Sequence, residues 1–154
     1  EATVEMNVKD ALVNYIFVGE AEENLLNVLA DLPSDPKDYP DRKVIGNKSS
    51  KLNLDQYDYP DYTDYNLSMY MNSNGISIET SRGCVAQCSF CAETYFWKFR
   101  SNTAERVVEE MEHQIKTYGV KRFWFVDSLV NGNLKVFERI IDLIIEKTII
   151  YIYY

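Results

Sequence analysis

From Gly75 onwards the chain alternates short apolar runs with longer segments of helical periodicity, and this order restricts the fold more than any other feature. Gly75–Thr80 alternates apolar and polar side chains, which predicts a short strand. Two later apolar runs, Val120–Val126 and Thr148–Tyr154, predict two more strands, with a helix in each interval. Strands separated by helices of this length pair in parallel through right-handed crossovers. The sequence therefore predicts an α/β fold.

Both predicted helices carry an apolar stripe. The first has Asn102 as a candidate N-cap, with Glu105 three residues later as in a capping box, and Gly119 is placed to end it. The second follows a polar turn, Ser128–Asn133. The residues predicted to face the core are Ala104, Val107, Val108, Met111, Ile115 and Tyr118 in the first helix, and Phe137, Ile140, Ile141, Ile144 and Ile145 in the second.

The first third of the chain predicts a separate strand–helix unit. The apolar run Ala11–Val18 predicts a buried strand, and a helix is predicted from about Ala21 to Leu32. Pro33–Asn74 holds all four prolines and a run of Asp and Tyr. This composition predicts a linker with solvated acidic side chains and at most a short hairpin near Lys43–Ile45.

Composition and charge argue against several classes of partner. The 154-residue chain has a formal net charge of −8 and lacks the basic stripe of nucleic-acid binders. No segment reaches the roughly 18–20 apolar residues that span a bilayer, and the N-terminus has no secretory signal. The three cysteines lie close together, unlike the spread, even set of a disulfide framework. We therefore expect a cytoplasmic, reducing environment and neither nucleic acid nor a membrane as partner.

Cys84, Cys88 and Cys91 form a C-x3-C-x2-C loop directly after the strand predicted at Gly75–Thr80. Thiolates this close together can surround one face of a compact metal cluster. Most simple [4Fe-4S] sites use four cysteines, so three would leave one iron with an open coordination position. An open position is where a metal site performs chemistry. Gly83 would let the backbone bend tightly before the first ligand.

Three other interpretations of the cysteines compete with a catalytic cluster. A structural zinc module requires a fourth ligand, and the single histidine, His113, lies about 200° around its helix from the apolar stripe, so we expect it to face solvent. An iron–sulfur electron carrier of the ferredoxin type requires a fourth cysteine, which the sequence lacks. Buried, inert cysteines are the third alternative, although loops between elements are where functional residues concentrate.

The run from Glu79 to Cys91 resembles the cluster loop of the radical SAM superfamily, whose motif is C-x3-C-x-aromatic-C, with Phe90 as the aromatic residue. In that family the loop follows the first strand of a (β/α)6 partial barrel, as it does here. The resemblance implies a partial (β/α)6 radical SAM barrel with about three strands present, preceded by the last βα unit of a Rossmann-like domain. It also implies an enzyme that cleaves S-adenosylmethionine (SAM) reductively and starts radical chemistry on a small-molecule substrate.

Looser matches are similar to the subgroup whose barrel follows a cobalamin-binding (B12-binding) domain. They are Tyr15-Ile16-Phe17-Val18-Gly19-Glu20-Ala21-Glu22, Leu54 to Tyr62, Arg82-Gly83-Cys84, Val108-Glu109-Glu110-Met111 and Phe125-Val126-Asp127. The implied domains are a remnant of a B12-binding-like α/β domain at 1–33, a linker at 34–74 and the N-terminal part of the radical SAM core at 75–154. Cobalamin is a candidate cofactor, although the Asp-x-His-x-x-Gly signature is absent. Because the chain begins with Glu1 and ends within a predicted strand, we expect a fragment that is cut at both ends.

The resemblance assigns roles to individual residues. Cys84, Cys88 and Cys91 would be the metal ligands, and the cofactor-binding residues would be Phe90, Asp127 and Arg100. Phe90 would pack near the adenine of SAM, with a plain core residue as the alternative. Asp127 would contact the SAM amino group, with a cap or turn residue of the following loop as the alternative.

Charge and partners complete the implied assignment. Arg82 and Arg100 would offset the negative charge of the cluster. A reductant such as flavodoxin or ferredoxin would supply the electron. The reactions of the subgroup include methyl transfer, ring formation and rearrangement, and no catalytic residue is assigned from the sequence.

Overall fold

The computed structural model describes residues 13–46, 53–70, 74–93, 97–147 and 149. The chain divides into two compact units, Glu1–Leu52 (unit 1) and Asn53–Tyr154 (unit 2). The strand predicted at Thr148–Tyr154 lies outside the described residues, apart from Ile149. None of the helices in the described part of the chain is long and apolar enough to cross a membrane.

Unit 1 is a parallel β-α-β arrangement of β1 (Tyr15–Val18), α1 (Glu22–Ala30) and β2 (Lys43–Gly46). The predicted strand and helix are confirmed, but the predicted hairpin near Lys43–Ile45 is wrong. The crossover through α1 brings the chain back in the same direction, so this segment pairs with β1 in parallel. The leucines of α1 that give it helical periodicity remain exposed: Leu25, Leu26 and Leu29.

Unit 2 contains the larger set of elements. They are β3 (Gly75–Ile78), β4 (Ser81–Arg82), β5 (Arg100–Ser101), α2 (Ala104–Tyr118), β6 (Arg122–Phe125) and α3 (Leu134–Glu146). β3 pairs with β6 in parallel, with Ile76 opposite Phe123, and β4 pairs with β5 antiparallel. The predicted α/β class is confirmed. The (β/α)6 barrel stays a prediction, because the described residues of unit 2 contain one pair of parallel strands.

The core of unit 2 joins one face of the β3–β6 pair to α2 and α3. Its buried apolar residues are Ile76, Ile78, Ala104, Val107, Val108, Met111, Val120, Phe123, Ile140, Leu143 and Ile144. Burying an aliphatic side chain of this size contributes about 1.5–3 kcal/mol. The stripe predicted for α2 is thus confirmed at its first four positions, while Ile115 and Tyr118 are half-buried.

The ends of α2 test the capping predictions. The helix ends at Gly119, whose φ is +67° and whose N–H donates to the carbonyl of Ile115, as predicted. The N-cap, however, is Thr103, whose side chain accepts from the N–H of Arg106, so the assignment to Asn102 is wrong by one residue. The reason is that Asn102 is already bonded to the end of β3, as described below.

Helix α3 begins after Asn133, whose side chain accepts from the N–H of Val136. Ile140 and Ile144 are buried as predicted, together with Leu143. Ile145 was predicted to face the core and is 70% exposed, so that prediction is wrong. The core stripe follows the 3.6-residue period, which turns Ile145 past the edge of the buried face.

Residues 53–62, here called the connector, lie along one side of α2. Four hydrogen bonds of 2.7 to 2.9 Å join Asp55 to Thr103, Tyr57 to Arg106, Pro60 to Gln114 and Asp61 to Tyr118. The partners advance together along both segments, so the connector has a fixed register on the helix. The expectation that the acids of this segment are simply solvated is wrong for Asp55 and Asp61.

Asp61 makes this register sensitive to acid. Hydrogen bonds from Thr63 and from the hydroxyl of Tyr118 lower the pKa of Asp61 from 3.8 to about 2. Because the folded-state pKa is depressed, the resulting stabilisation is present above about pH 4 and is lost as the pH falls towards 2.

We expect Tyr118→Phe to raise the pKa of Asp61 towards its usual value, because the variant removes one of these donors. The measurement is a carboxyl-carbon NMR titration of Asp61. Tyr65→Phe is the matched control, since it changes an exposed tyrosine for which no bond to Asp61 is found. Identical Asp61 titrations in Tyr118→Phe and in the unmodified protein would contradict the prediction.

Candidate functional site

The cysteine loop, of which the structure describes residues 83–93 and 97–99, follows β4 at the carboxyl end of β3 and precedes β5 and α2. Its two ends are held together by the antiparallel pair β4–β5, in which Ser81 lies opposite Ser101 and Arg82 opposite Arg100. Carboxyl ends of parallel strands are where α/β proteins and barrels gather their chemistry. The fold therefore places the three cysteines where a catalytic site is expected.

Gly83 is required at the start of this loop for two reasons. Its φ is +78°, a left-handed conformation that other residues adopt only with strain. A Cβ atom added there would also lie 2.9 Å from the carbonyl carbon of Lys98 and 3.0 Å from the backbone nitrogen of Phe99. The predicted tight bend before Cys84 is confirmed, and the close approach of the returning strand explains why no side chain fits.

The far side of the cysteine loop docks on the turn that follows β6. The ring of Phe99 lies over Gly132, where an added Cβ would come 2.5 Å from Cε2 of the ring. The carboxylate of Glu93 accepts a hydrogen bond of 2.7 Å from the hydroxyl of Ser128. The β4–β5 pair thus holds the two ends of the loop together, and contacts with the turn that follows β6 also hold the loop in place.

Asp127 connects the carboxyl ends of β3 and β6. Its Oδ1 accepts from the N–H of Thr80 (3.0 Å), from the hydroxyl of Thr80 (2.9 Å) and from the hydroxyl of Ser81 (2.7 Å). Its Oδ2 is buried and has no hydrogen-bond partner among the described residues. An unsatisfied buried acceptor costs about 1–3 kcal/mol, so this atom needs a physical explanation.

The bonds of Asp127 differ from those expected of a cap or turn residue. As a cap or turn residue of the following loop, its side chain would accept from backbone N–H groups just after it. Its bonds within the described part of the chain run back to Thr80 and Ser81 instead. Asp127 thus joins the ends of two strands, and its contact with SAM stays a prediction.

The cysteines themselves are accessible but not gathered. Cys84 is half-buried and its sulfur accepts from the N–H of Ala86 at 3.4 Å, whereas Cys88 and Cys91 are exposed; all three are free thiols. The alternative of buried, inert cysteines is therefore wrong for Cys88 and Cys91. Within the described ranges, no group of three or more His, Cys, Asp or Glu side chains could hold a metal ion.

The donor set fits an iron–sulfur cluster by chemistry, although the sulfurs do not converge. Three free thiols on one short loop are the ligands that such clusters use. Metal sites rarely exist preformed, since the ion itself brings its ligands together.

Of the remaining predicted residues, Phe90, Arg82 and Arg100 lie in or beside the loop, and His113 lies on α2. Phe90 is 91% exposed, so the alternative of a core residue is wrong. Arg100 lies in β5, half-buried, with its Nε donating to the carbonyl of Lys98 at 3.3 Å. Arg82 pairs with Glu79 at 2.8 Å. His113 is exposed, as predicted, and its ring packs on Tyr59 with centroids 5.1 Å apart.

Sequence reasoning missed three residues that shape this site. Thr80 and Ser81 are buried donors to Asp127, and Asn102 holds the main chain before them. The backbone N–H of Asn102 donates to the carbonyl of Thr80 at 2.9 Å, and its side-chain amide donates to the carbonyl of Glu79 at 3.1 Å. The available signal was the position of two hydroxyl residues at the carboxyl end of a predicted strand.

A separate cavity of about 190 Å³ lies beside β3 and the connector, with Ser77, Arg106 and Glu110 among its lining residues. Burial raises the pKa of the Glu110 carboxyl, and the adjacent Arg106, 2.9 Å away, opposes that rise. The cavity is smaller than the roughly 300–1,000 Å³ of ordinary ligand pockets. We place the candidate site at the cysteine loop and Asp127 because both lie at the carboxyl ends of the parallel strands β3 and β6.

Comparison with known proteins gives partial and distant matches. No family model and no solved structure matches the chain. It is 27% identical to cytidylyl-2-hydroxyethylphosphonate methyltransferase from Streptomyces wedmorensis, over 83% of this chain and 27% of the relative. It is 29% identical to hopanoid C-2 methylase from Rhodopseudomonas palustris, over 79% of this chain and 23% of the relative.

A third relative has a different type of name. Anaerobic magnesium-protoporphyrin IX monomethyl ester cyclase from Synechocystis sp. is 26% identical over 53% of this chain and 17% of the relative. The chain thus spans about a quarter or less of the length of these relatives. They are methyltransferases and a cyclase by name, which supports an enzyme of that kind.

The geometry at Gly83 generates a test of how the loop is held. We expect Gly83→Ala to separate the β4–β5 pair, because the new Cβ meets backbone atoms of Lys98 and Phe99. Iodoacetamide should then alkylate the half-buried Cys84 several-fold faster, because the loop opens more often once the β4–β5 pair is weakened. The alkylation rate is measured by mass spectrometry.

Gly119→Ala is the control for this test. It introduces the same left-handed strain, of about 1–2 kcal/mol, at a glycine where an added Cβ meets nothing within 4 Å. The Cys84 alkylation rate should stay unchanged in that variant. Equal rates in both variants would show that the close approach at Gly83 does not hold the loop.

Proposed function

We propose that this protein is a radical SAM enzyme in which Cys84, Cys88 and Cys91 hold a [4Fe-4S] cluster. The observation that carries the proposal is the position of the C-x3-C-x-Phe-C loop, which leaves from the carboxyl end of β3 and is closed by the β4–β5 pair. The similarity to methyltransferases and a cyclase supports an enzyme of this type.

The number of ligands defines the proposed chemistry. Three cysteines leave one iron of a [4Fe-4S] cluster without a protein ligand, which is the position that SAM would take. The bound cluster would supply one electron for the reductive cleavage of SAM, which starts radical chemistry on the substrate. The task of the protein is to hold SAM in one orientation and to keep water and oxygen away from the site.

Individual residues of this chain would orient SAM. The buried Oδ2 of Asp127 is an acceptor without a donor among the described residues, and the amino group of SAM would supply that donor. Phe90, on the surface of the loop, would pack against the adenine. Arg100, at the base of the loop, would offset the negative charge of the cluster.

The wider assignment follows from the same proposal. Unit 1 would belong to a B12-binding-like α/β domain and unit 2 to a (β/α)6 barrel, with methyl transfer or ring formation on a small molecule as the reaction classes. Cobalamin is a candidate second cofactor. The electron would come from a reductant such as flavodoxin or ferredoxin. Free thiols and an oxygen-sensitive cluster suit the reducing cytoplasm, and neither nucleic acid nor a membrane is proposed as a partner.

The proposal is tested by anaerobic reconstitution with iron and sulfide. We expect about four iron and four sulfide per chain, and an EPR signal of the reduced sample that changes when SAM is added. Cys88→Ala should lose the cluster, whereas Ser89→Ala, a change of similar size at the next residue, should retain it. Stoichiometric zinc without iron would overturn the cluster assignment, and a cluster whose signal ignores SAM would overturn the SAM assignment.

A further inference from the structure

We infer that Thr80 and Ser81 are positioning residues that set the distance and direction between Asp127 and the first metal ligand, Cys84. The inference rests on the proposed function, since it explains how the protein orients SAM between the cluster and a carboxylate. It adds residues to which neither the motif nor the similarity to known proteins gives a role.

The hydrogen bonds of Asp127 are one-sided. Three donors converge on Oδ1, at 2.7 to 3.0 Å, while the equally basic Oδ2 receives none within the described part of the chain. A carboxylate has about four acceptor positions shared between two oxygens. Oδ2 can therefore still accept a hydrogen bond, and under the proposed function the donor would be the amino group of SAM.

The donors are themselves fixed to the main chain. Thr80 and Ser81 are 2% and 3% exposed, so their side chains have little room to rotate. The carbonyl of Thr80 accepts from the N–H of Asn102, and Ser81 pairs with Ser101 across the β4–β5 pair. The hydroxyl groups therefore move only if the start of the cysteine loop moves with them.

The same segment carries the first proposed metal ligand. Thr80 and Ser81 are followed by Arg82, by the tight bend at Gly83 and then by Cys84. Asp127 is bonded to this segment rather than to its own loop. The carboxylate that would accept from the amino group of SAM therefore keeps its position relative to the proposed cluster. A ligand that reaches both groups at once, as an amino acid moiety on an open iron would, requires a fixed spacing between them.

The experiment uses the anaerobically reconstituted protein and two probes that differ in one part. SAM carries the amino acid moiety, and 5′-methylthioadenosine lacks it. We expect Thr80→Val and Ser81→Ala each to weaken SAM binding about tenfold, because each variant loses an oriented contact to a charged group. The iron content and the affinity for 5′-methylthioadenosine should stay unchanged. Binding is measured by equilibrium dialysis and by the SAM-dependent EPR change.

Three further variants make the test specific. Thr80→Ser keeps the hydroxyl and should restore SAM affinity. Thr80→Val combined with Asp127→Asn should be no weaker than Asp127→Asn alone, because both act through one carboxylate. Thr117→Val makes the same type of change at an exposed position of α2 and should leave the affinity of both probes unchanged.

Each remaining outcome overturns the inference in a recognisable way. Equal losses for both probes, lower iron content or a failure of both Thr80→Val and Ser81→Ala to fold would show that the hydroxyls only support the structure. Unchanged SAM affinity would show that Asp127 needs no positioning. Absence of a cluster or of SAM binding in the unmodified protein would overturn the proposed function itself, and it is distinguishable because it precedes any substitution.

Discussion

The parallel pairing of β3 with β6 beneath α2 is the constraint on which the rest of unit 2 depends. Ile78, Met111 and Phe123 are fully buried where the helix covers the two strands. Because the strands run in the same direction, their carboxyl ends lie side by side, and Thr80 comes within hydrogen-bonding distance of Asp127. Without this pairing the cysteine loop would have no neighbour on which to dock.

Helix α2 serves two surfaces at once. Its apolar stripe faces the strands, and a polar stripe that includes Arg106, Glu110 and Gln114 faces the connector. The guanidinium of Arg106 lies 3.9 Å from the ring centroid of Tyr59, donates to the carbonyl of Tyr57 and pairs with Glu110. The connector, which includes a short 3₁₀ helix at Leu54–Gln56, is thereby held in register by side chains of α2.

The sequence predicted the elements of unit 2 better than its site. Periodicity is a local property, so the strand at Gly75–Thr80, the helix ending at Gly119 and the strand at Val120–Val126 could be read from neighbouring residues. The role of Asn102 could not, because its partners, Glu79 and Thr80, are distant in the sequence and meet it only after folding. An N-cap and a long-range hydrogen bond use the same residue types, and only the folded structure distinguishes the two.

Long-range contacts also explain why the predictions for the second strand of unit 1 and for the acids of the connector were wrong. Lys43–Gly46 is too short for its pattern to indicate which strand it pairs with. The helix between β1 and β2 makes the pairing parallel. Asp55 and Asp61 read as solvated because their sequence neighbours are polar, yet their partners, Thr103 and Tyr118, lie on α2. In both cases long-range contacts overrode the local pattern.

The attachment of the cysteine loop is uneven, and this has a consequence for how a cluster would be assembled. Cys84 directly follows the bend at Gly83 and is half-buried, so its backbone is positioned by the fold. Cys88 and Cys91 are exposed and are joined by one local turn, in which the N–H of Cys91 donates to the carbonyl of Cys88. If the loop holds a cluster as proposed, the fold itself positions the first ligand, and binding of the cluster would have to bring the other two sulfurs to it. Because Asp127 is bonded to Thr80 and Ser81, just before Cys84, the proposed contact with SAM lies next to the ligand that the fold positions.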